Sequence, residues 1–165
     1  MKNLLFFFCS FMISSLFAIS PVGELLGPMP IVKILDGDTI RVTDHFFEDT
    51  IRLIGVDTPE VYGGVQPFGP EASAFTKALL TIGTKVWIEL DKAHRDRYGR
   101  ILGYVYLEKA DGEWESNGRH FIQVNLELAK VGLAKVLTVP PNVRYKQLYL
   151  DAENKAKDHK LQMWK

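Results

Sequence analysis

From Ile31 to Leu107 the chain sets apolar residues in short alternating runs, the two-residue period of half-buried strands. Ile31 to Val42 reads as strand interrupted by a turn at Asp36-Gly37. Thr50 to Val56 alternates and is rich in β-branched residues, so it predicts a second strand region. Lys85 to Leu90 and Ile101 to Leu107 predict two more. A helical period takes over after Pro70-Glu71, where Ala72, Phe75, Leu79 and Ile82 recur until Gly83. Val124 to Lys130 predicts a short helix ended by Gly132, and Leu133 to Val139 an extended stretch. Pro140-Pro141-Asn142 stops that stretch and opens a last helix from Val143 to about His159, with Tyr145, Leu148, Tyr149, Ala152 and Ala156 on one face. Val61 to Gly69 reads as a loop and Ala110 to Arg119 as a polar excursion between strands. Strands, a helix, more strands and two closing helices make an α+β domain built on a small barrel or strongly curled sheet.

The first twenty residues stand apart from this pattern. Met1-Lys2-Asn3 is a charged start, and Leu4 to Ile19 has no charged residue and five of the ten phenylalanines. That is the layout of a signal peptide, with cleavage expected after Ser20 or after Ala18; an uncleaved anchor is the alternative. Residues 21–30 read as a linker and residues 31–165 as the working domain. The expected location is secreted or periplasmic, or membrane-anchored if the leader stays. Cleavage after Ser20 removes Cys9, the single cysteine, so no disulfide framework or cysteine zinc site is available.

Net charge changes the picture only when it is divided. The 165 residues carry 20 Lys+Arg and 20 Asp+Glu, and 47% are hydrophobic, which excludes a disordered or strongly basic chain. Residues 21–90 hold 5 basic and 10 acidic residues, whereas residues 91–165 hold 14 and 10. An acidic half thus precedes a basic one, which reads either as chance variation on a solvated surface or as an acidic metal site facing a polyanion-binding side.

Three segments carry candidate chemistry. In Asp36-Gly37-Asp38-Thr39 the two carboxylates are two residues apart, so in extended chain they share a face and invite a hard cation. Arg52 interrupts an apolar strand and calls for an anionic partner, while Asp57, Thr58 and Glu60 cluster where that strand ends at Pro59. Asp91 to Arg100 is a basic turn with Tyr98 in it, suited to phosphate contact and base stacking. His45, His94, His120 and His159 have no zinc spacing, and there is no nucleophile elbow, Walker loop or dinucleotide fingerprint.

Taken in order, Asp36-Gly37-Asp38-Thr39, Arg52 through Glu60, Gly69-Pro70-Glu71-Ala72, Asp96-Arg97-Tyr98-Gly99-Arg100 and Gly132-Leu133-Ala134-Lys135-Val136 resemble the staphylococcal nuclease family over about Val32 to Trp164. The resemblance implies a five-stranded OB-fold barrel with three helices. It also implies Ca²⁺-dependent hydrolysis of phosphodiesters in DNA and RNA, giving 3′-phosphorylated products. By position, Asp38 and Asp57 match the family's calcium carboxylates, with the Thr58 main-chain carbonyl as a third ligand. Glu60 matches the general base, Arg52 and Arg100 the two arginines on the scissile phosphate, and Arg97 and Tyr98 the pair flanking the 5′ end of the nucleotide.

The resemblance also has departures. Thr138 and Pro140 stand where the type member has tyrosines near the bound base, so stacking there should be weaker. The loop from Glu60 to Gly69 is shorter and less basic, and the excursion from Glu108 to Arg119 is longer. The expected partner is nucleic acid alone, with a monomeric chain. The reading held against it is a non-catalytic barrel that binds single-stranded nucleic acid or oligosaccharide.

Overall fold

A ring of five strands gathers much of the buried aliphatic surface. In the computed structural model, which describes residues 19–165, β1 (Leu25–Ile34), β2 (Thr39–Thr43) and β3 (Glu48–Leu53) form an antiparallel meander. The chain then passes through β4 (Gly55–Asp57) and α1 (Gly69–Leu79) into β5 (Lys85–Arg95) and β6 (Ile101–Glu108). β5 pairs with both β1 and β6, and β6 runs parallel to β3 with Arg52 beside Leu102. The order β1-β2-β3-β6-β5 therefore closes on itself, as in an OB-type barrel. Strand alternation turns Ile31, Ile40, Val42, Ile51, Leu53, Val86 and Ile88 inward, and none is more than 2% exposed.

Beyond the ring, β7 (Trp114–Ser116) and β8 (Arg119–Gln123) form a hairpin on the edge of β6. Then α2 (Val124–Lys130), β9 (Lys135–Leu137) and α3 (Lys146–Asp158) complete the fold, β9 pairing with β4. Gly55 lets α3 sit against β4: its φ is +82°, and a Cβ there would lie 2.2 Å from the Tyr149 ring. Buried Asn125 in α2 accepts the Val105 amide and donates to Ile54 O and Gly103 O. It thereby ties the kink between β3 and β4 to β6, which fixes where Arg52 and Asp57 emerge.

Four expectations change. Residues 21–30 are not a free linker: β1 begins at Leu25, Val22 N donates to the Tyr145 hydroxyl, and Gly23 N donates to the buried Glu89 carboxylate. Ile19 bridges Trp114, while residues 1–18 of the expected leader lie outside the described residues. The first helix stops at Leu79, and Ile82, placed on its apolar face by spacing, is 67% exposed. β5 runs on to Arg95, so the basic turn shrinks to Asp96–Arg100. The polar excursion contains β7, whose Trp114 is fully buried against Tyr106 and Tyr145.

Glu89, fully buried on β5, accepts the Tyr106 hydroxyl at 2.7 Å, the Tyr145 hydroxyl at 2.8 Å and Arg144 Nη1 at 2.6 Å. With Gly23 N also donating to it, the donors come from the N-terminal segment, from β6 and from the Arg144-Tyr145 approach to α3, and this carboxylate joins all three. A buried charge is tolerable only with such pairing.

Candidate active site

The site is built at the end of β3, where the strand cannot continue flat. Arg52 leaves β3 beside β6, and its guanidinium turns back over the β3–β4 kink. Nη1 donates to Leu53 O at 2.5 Å and Val56 O at 3.0 Å. Nη2 lies 2.7 Å from Asp57 Oδ1 and 3.1 Å from Asp38 Oδ2. The anionic partner required by an arginine in an apolar strand is thus a pair of carboxylates from β4 and the β1–β2 turn.

Asp38 is buried at 5% exposure, with Oδ2 accepting the Thr58 amide at 2.8 Å and Oδ1 the Thr39 hydroxyl at 3.1 Å. Burial pushes its carboxyl up to about 6, against the pull of Arg52 and the Thr58 amide. Asp36 and Asp57 push in the same direction as burial. Asp36 does not share a face with Asp38 as extended chain would have it. The segment is a bend in which Asp36 Oδ1 accepts the Asp38 amide. The bend is held from below by α1: the buried Thr76 hydroxyl donates to Gly37 O at 2.7 Å. A Cβ on Gly37 would meet Thr58 Oγ1 at 2.7 Å, so the two site turns are in contact.

Asp38, Asp57 and Thr58 therefore do come together. Asp57 is half exposed, its side chain at 47%. Among the described residues no group of three or more His, Cys, Asp and Glu side chains converges on one point. The donor set is nevertheless all oxygen, and two carboxylates share one positive partner, which suits a hard divalent cation such as Ca²⁺.

Glu60 follows on an exposed turn. Its amide donates to the Gln66 side chain and its carbonyl accepts the Gln66 amide, a reciprocal clasp of the Val61–Gly69 loop. Gly69 is required for the close approach: a Cβ there would lie 2.5 Å from Glu60 O. The loop is thus a short, pinned support for one projecting carboxylate.

Arg100 reaches the site from the other side. It and Arg52 line one cavity of about 220 Å³, with Leu102, Leu137, Val139, Pro140 and Pro141 among the walls. Asp96 aims it: Oδ2 accepts Arg100 Nε at 2.7 Å, and Oδ1 accepts the amides of Tyr98 and Arg100. Arg97 and Tyr98 lie farther out, beyond this cavity. Tyr98 is 68% exposed, with the Arg97 guanidinium 4.7 Å and that of Arg100 5.5 Å from its ring centre. At the two positions that lack tyrosine, Pro140 is part of the cavity wall, and the Thr138 hydroxyl is buried without a partner. The wall is aliphatic where an aromatic was the alternative.

Sequence reading missed the residues that hold this arrangement: Gln66, Thr76, Asp96, Asn125 and Asn142. Asn142 exchanges hydrogen bonds with both backbone groups of Ala93 and so fixes the proline wall to β5. Only Asp96 offered a signal, as an acid followed by Tyr-Gly-Arg at turn spacing.

An OB-type barrel with two arginines and two carboxylates converging beside one cavity defines the class. The chain belongs to the staphylococcal nuclease family, whose profile, "Staphylococcal nuclease homologue", matches residues 50–165. It is 40% identical over 137 residues to a thermonuclease of Staphylococcus hyicus, covering 81% of this chain and 73% of that protein. A thermonuclease of Staphylococcus intermedius is 38% identical over 135 residues, covering 80% and 73%. Endonuclease YncB of Bacillus subtilis is 40% identical over 137 residues, which span 80% of this chain and 59% of that protein.

Proposed function

We propose that this chain is a Ca²⁺-dependent nuclease that hydrolyses phosphodiesters of DNA and RNA by water attack, leaving 3′-phosphorylated products. The observation that carries the proposal is Arg52, clasped between Asp38 and Asp57 on a cavity that Arg100 also lines. The relatives named as thermonucleases and an endonuclease support the same reading.

Asp38, Asp57 and the Thr58 carbonyl would hold the calcium ion. When bound it supplies positive charge against the oxygens of the phosphate under attack. Arg52 and Arg100 do the rest of the charge stabilisation, since the planar guanidinium fork matches two phosphate oxygens and stays protonated. Arg52 Nη1 is anchored on two carbonyls, so Arg52 can turn Nη2 from the carboxylates to the phosphate without losing its place. Glu60 takes the proton of the attacking water as the P–O5′ bond breaks, the released 5′ oxygen taking a proton from solvent; the Glu60 backbone is held by Gln66 and its carboxylate left free to move. Arg97 and Tyr98 steady the nucleotide outside the cavity. The leader adds an exported location to the proposal.

The test is cleavage of DNA and RNA by the purified chain with calcium, magnesium and chelator in parallel. Glu60→Gln should lower kcat by roughly 10²- to 10⁴-fold with the fold unchanged. Full activity of that variant, or magnesium serving as well as calcium, would overturn the mechanism.

A further inference from the structure

The turn between β2 and β3 displays the two most exposed large apolar side chains among the described residues, Phe46 at 86% and Phe47 at 77%. Their exposure is built in. Asp44 Oδ1 accepts the amides of both phenylalanines at 3.0 and 2.9 Å, and the Asp44 amide donates back to Phe47 O. The Thr43 hydroxyl accepts the His45 amide. A turn pinned at four points keeps its rings in water, where a looser one would let them fold onto the surface. Adjacent exposed aromatics of this kind mark an interaction site.

What lies beside them says which kind. An open groove of about 330 Å³ runs from Tyr98, Gly99 and Arg100 past Arg41 and Thr50 to Glu48, the residue next to Phe47. It shares Tyr98 and Arg100 with the candidate active site and ends at the aromatic turn. Its acids are already engaged: Glu48 faces Arg41 at 3.7 Å, and Asp49 meets Arg95 at 2.6 Å. Asp44 spends its carboxylate on backbone amides, which hold it below the usual range. The cations at the Tyr98 end, Arg97 and Arg100, suit phosphates. The cavity wall at Leu137, Val139 and Pro140 offers no aromatic face to a base, so stacking surface for a bound strand has to come from elsewhere.

We propose that Phe46 and Phe47 are a base-stacking platform for single-stranded nucleic acid, reached from the active site along the Tyr98–Arg41 groove. The proposal rests on the nuclease reading above and adds to it a subsite for the bound strand. Bases of a single strand are free to lie on exposed rings, whereas those of a duplex are stacked on each other. Phe47 lies three residues before Thr50, just outside β3, roughly 10 Å along extended chain, so a dinucleotide held at the arginines does not reach the platform.

The test uses F46A/F47A, which truncates only exposed rings and should leave the urea midpoint unchanged. For the oligonucleotide (dT)10 the KM should rise roughly tenfold or more with kcat unchanged, while the dinucleotide TpT is cleaved as before. Binding is read separately with F47W in a Glu60→Gln background: (dT)10 should quench the added tryptophan fluorescence. If the wild-type chain cleaves nothing yet the quench is seen, the nuclease reading fails and the platform stands. An unchanged KM for (dT)10 together with no quench overturns the platform. A fluorescence change with anionic phospholipid vesicles but not with (dT)10 overturns it in favour of a membrane contact. A dimer that F46A/F47A dissociates overturns it in favour of self-association.

Discussion

Asp96 has no place in the chemistry, yet it should be felt in catalysis through Arg100. Its carboxylate accepts Arg100 Nε at 2.7 Å and the amides of Tyr98 and Arg100 at 2.9 and 3.0 Å. Partial burial acts to raise this carboxyl, but the Arg100 side chain and the two amides outweigh burial and hold it below 3.8. Asp96→Asn keeps one oxygen for the amides and turns an NH₂ toward the guanidinium. The side chains of the pair are 33% and 17% exposed, so solvent screens it. Exposed ion pairs are worth about 0.2–1 kcal/mol, and about 1 kcal/mol is the figure for this semi-exposed geometry. Spent on the Arg100 rotamer, that is about a fivefold loss of kcat/KM. On the proposed mechanism, Arg100→Ala removes a transition-state donor outright and should cost about 10²- to 10³-fold. The decisive assay is the double-mutant cycle on single-stranded DNA cleavage: in the Arg100→Ala background, Asp96→Asn should cost less than about twofold. Equal losses in both backgrounds would refute a role through Arg100. The pH sign follows from the lowered carboxyl. The stability that Asp96 contributes is fully present above 3.8 and is lost as pH falls through its lower folded value. The gap between wild type and Asp96→Asn in urea melts should therefore be flat above about pH 5 and close below it.

Two further outcomes follow from buried groups. Thr76→Val is nearly isosteric but removes the donor to Gly37 O, so urea unfolding should show a loss of about 1–3 kcal/mol; no loss would mean that the β1–β2 turn holds itself. Burial pushes the Tyr145 hydroxyl up to about 12 and raises Tyr104, Tyr106 and Tyr149 as well. Groups raised on folding contribute stability below the ordinary 10.0 that is lost as pH climbs through 12. Tyrosinate absorbance from these four should appear together with loss of circular dichroism, and ionisation ahead of unfolding would contradict their burial.

The candidate site residues Arg52, Asp57 and Glu60 stand out in the sequence because their residue types are out of place. An arginine in an apolar strand and acids crowded at a strand end have few structural uses. The elements were legible where the period was clean: the short helix Val124–Lys130 has the predicted bounds. Thr76, Asn125 and Asn142 leave no such trace, because their partners are backbone groups far away in sequence. Thr76 reaches Gly37 across 39 residues, Asn142 reaches Ala93 across 49, and Asn125 reaches Ile54 across 71. Each is an ordinary polar residue until folding delivers a carbonyl or amide to it. The same cause shortened β5 in the sequence reading. Asp91 looks like a turn residue, but within the fold its carboxylate accepts the Tyr104 hydroxyl and the Arg144 amide and continues the strand.

A side chain that meets substrate must carry its chemistry in its own atoms, whereas one that holds a turn needs only a partner. Local pattern therefore locates the chemistry proposed for this chain. The rigidity of the candidate site is written in pairings between distant segments. Asp96 lies between the two cases. Its partners are two and four residues away, so its support of Arg100 was the one positioning role that turn spacing could have exposed.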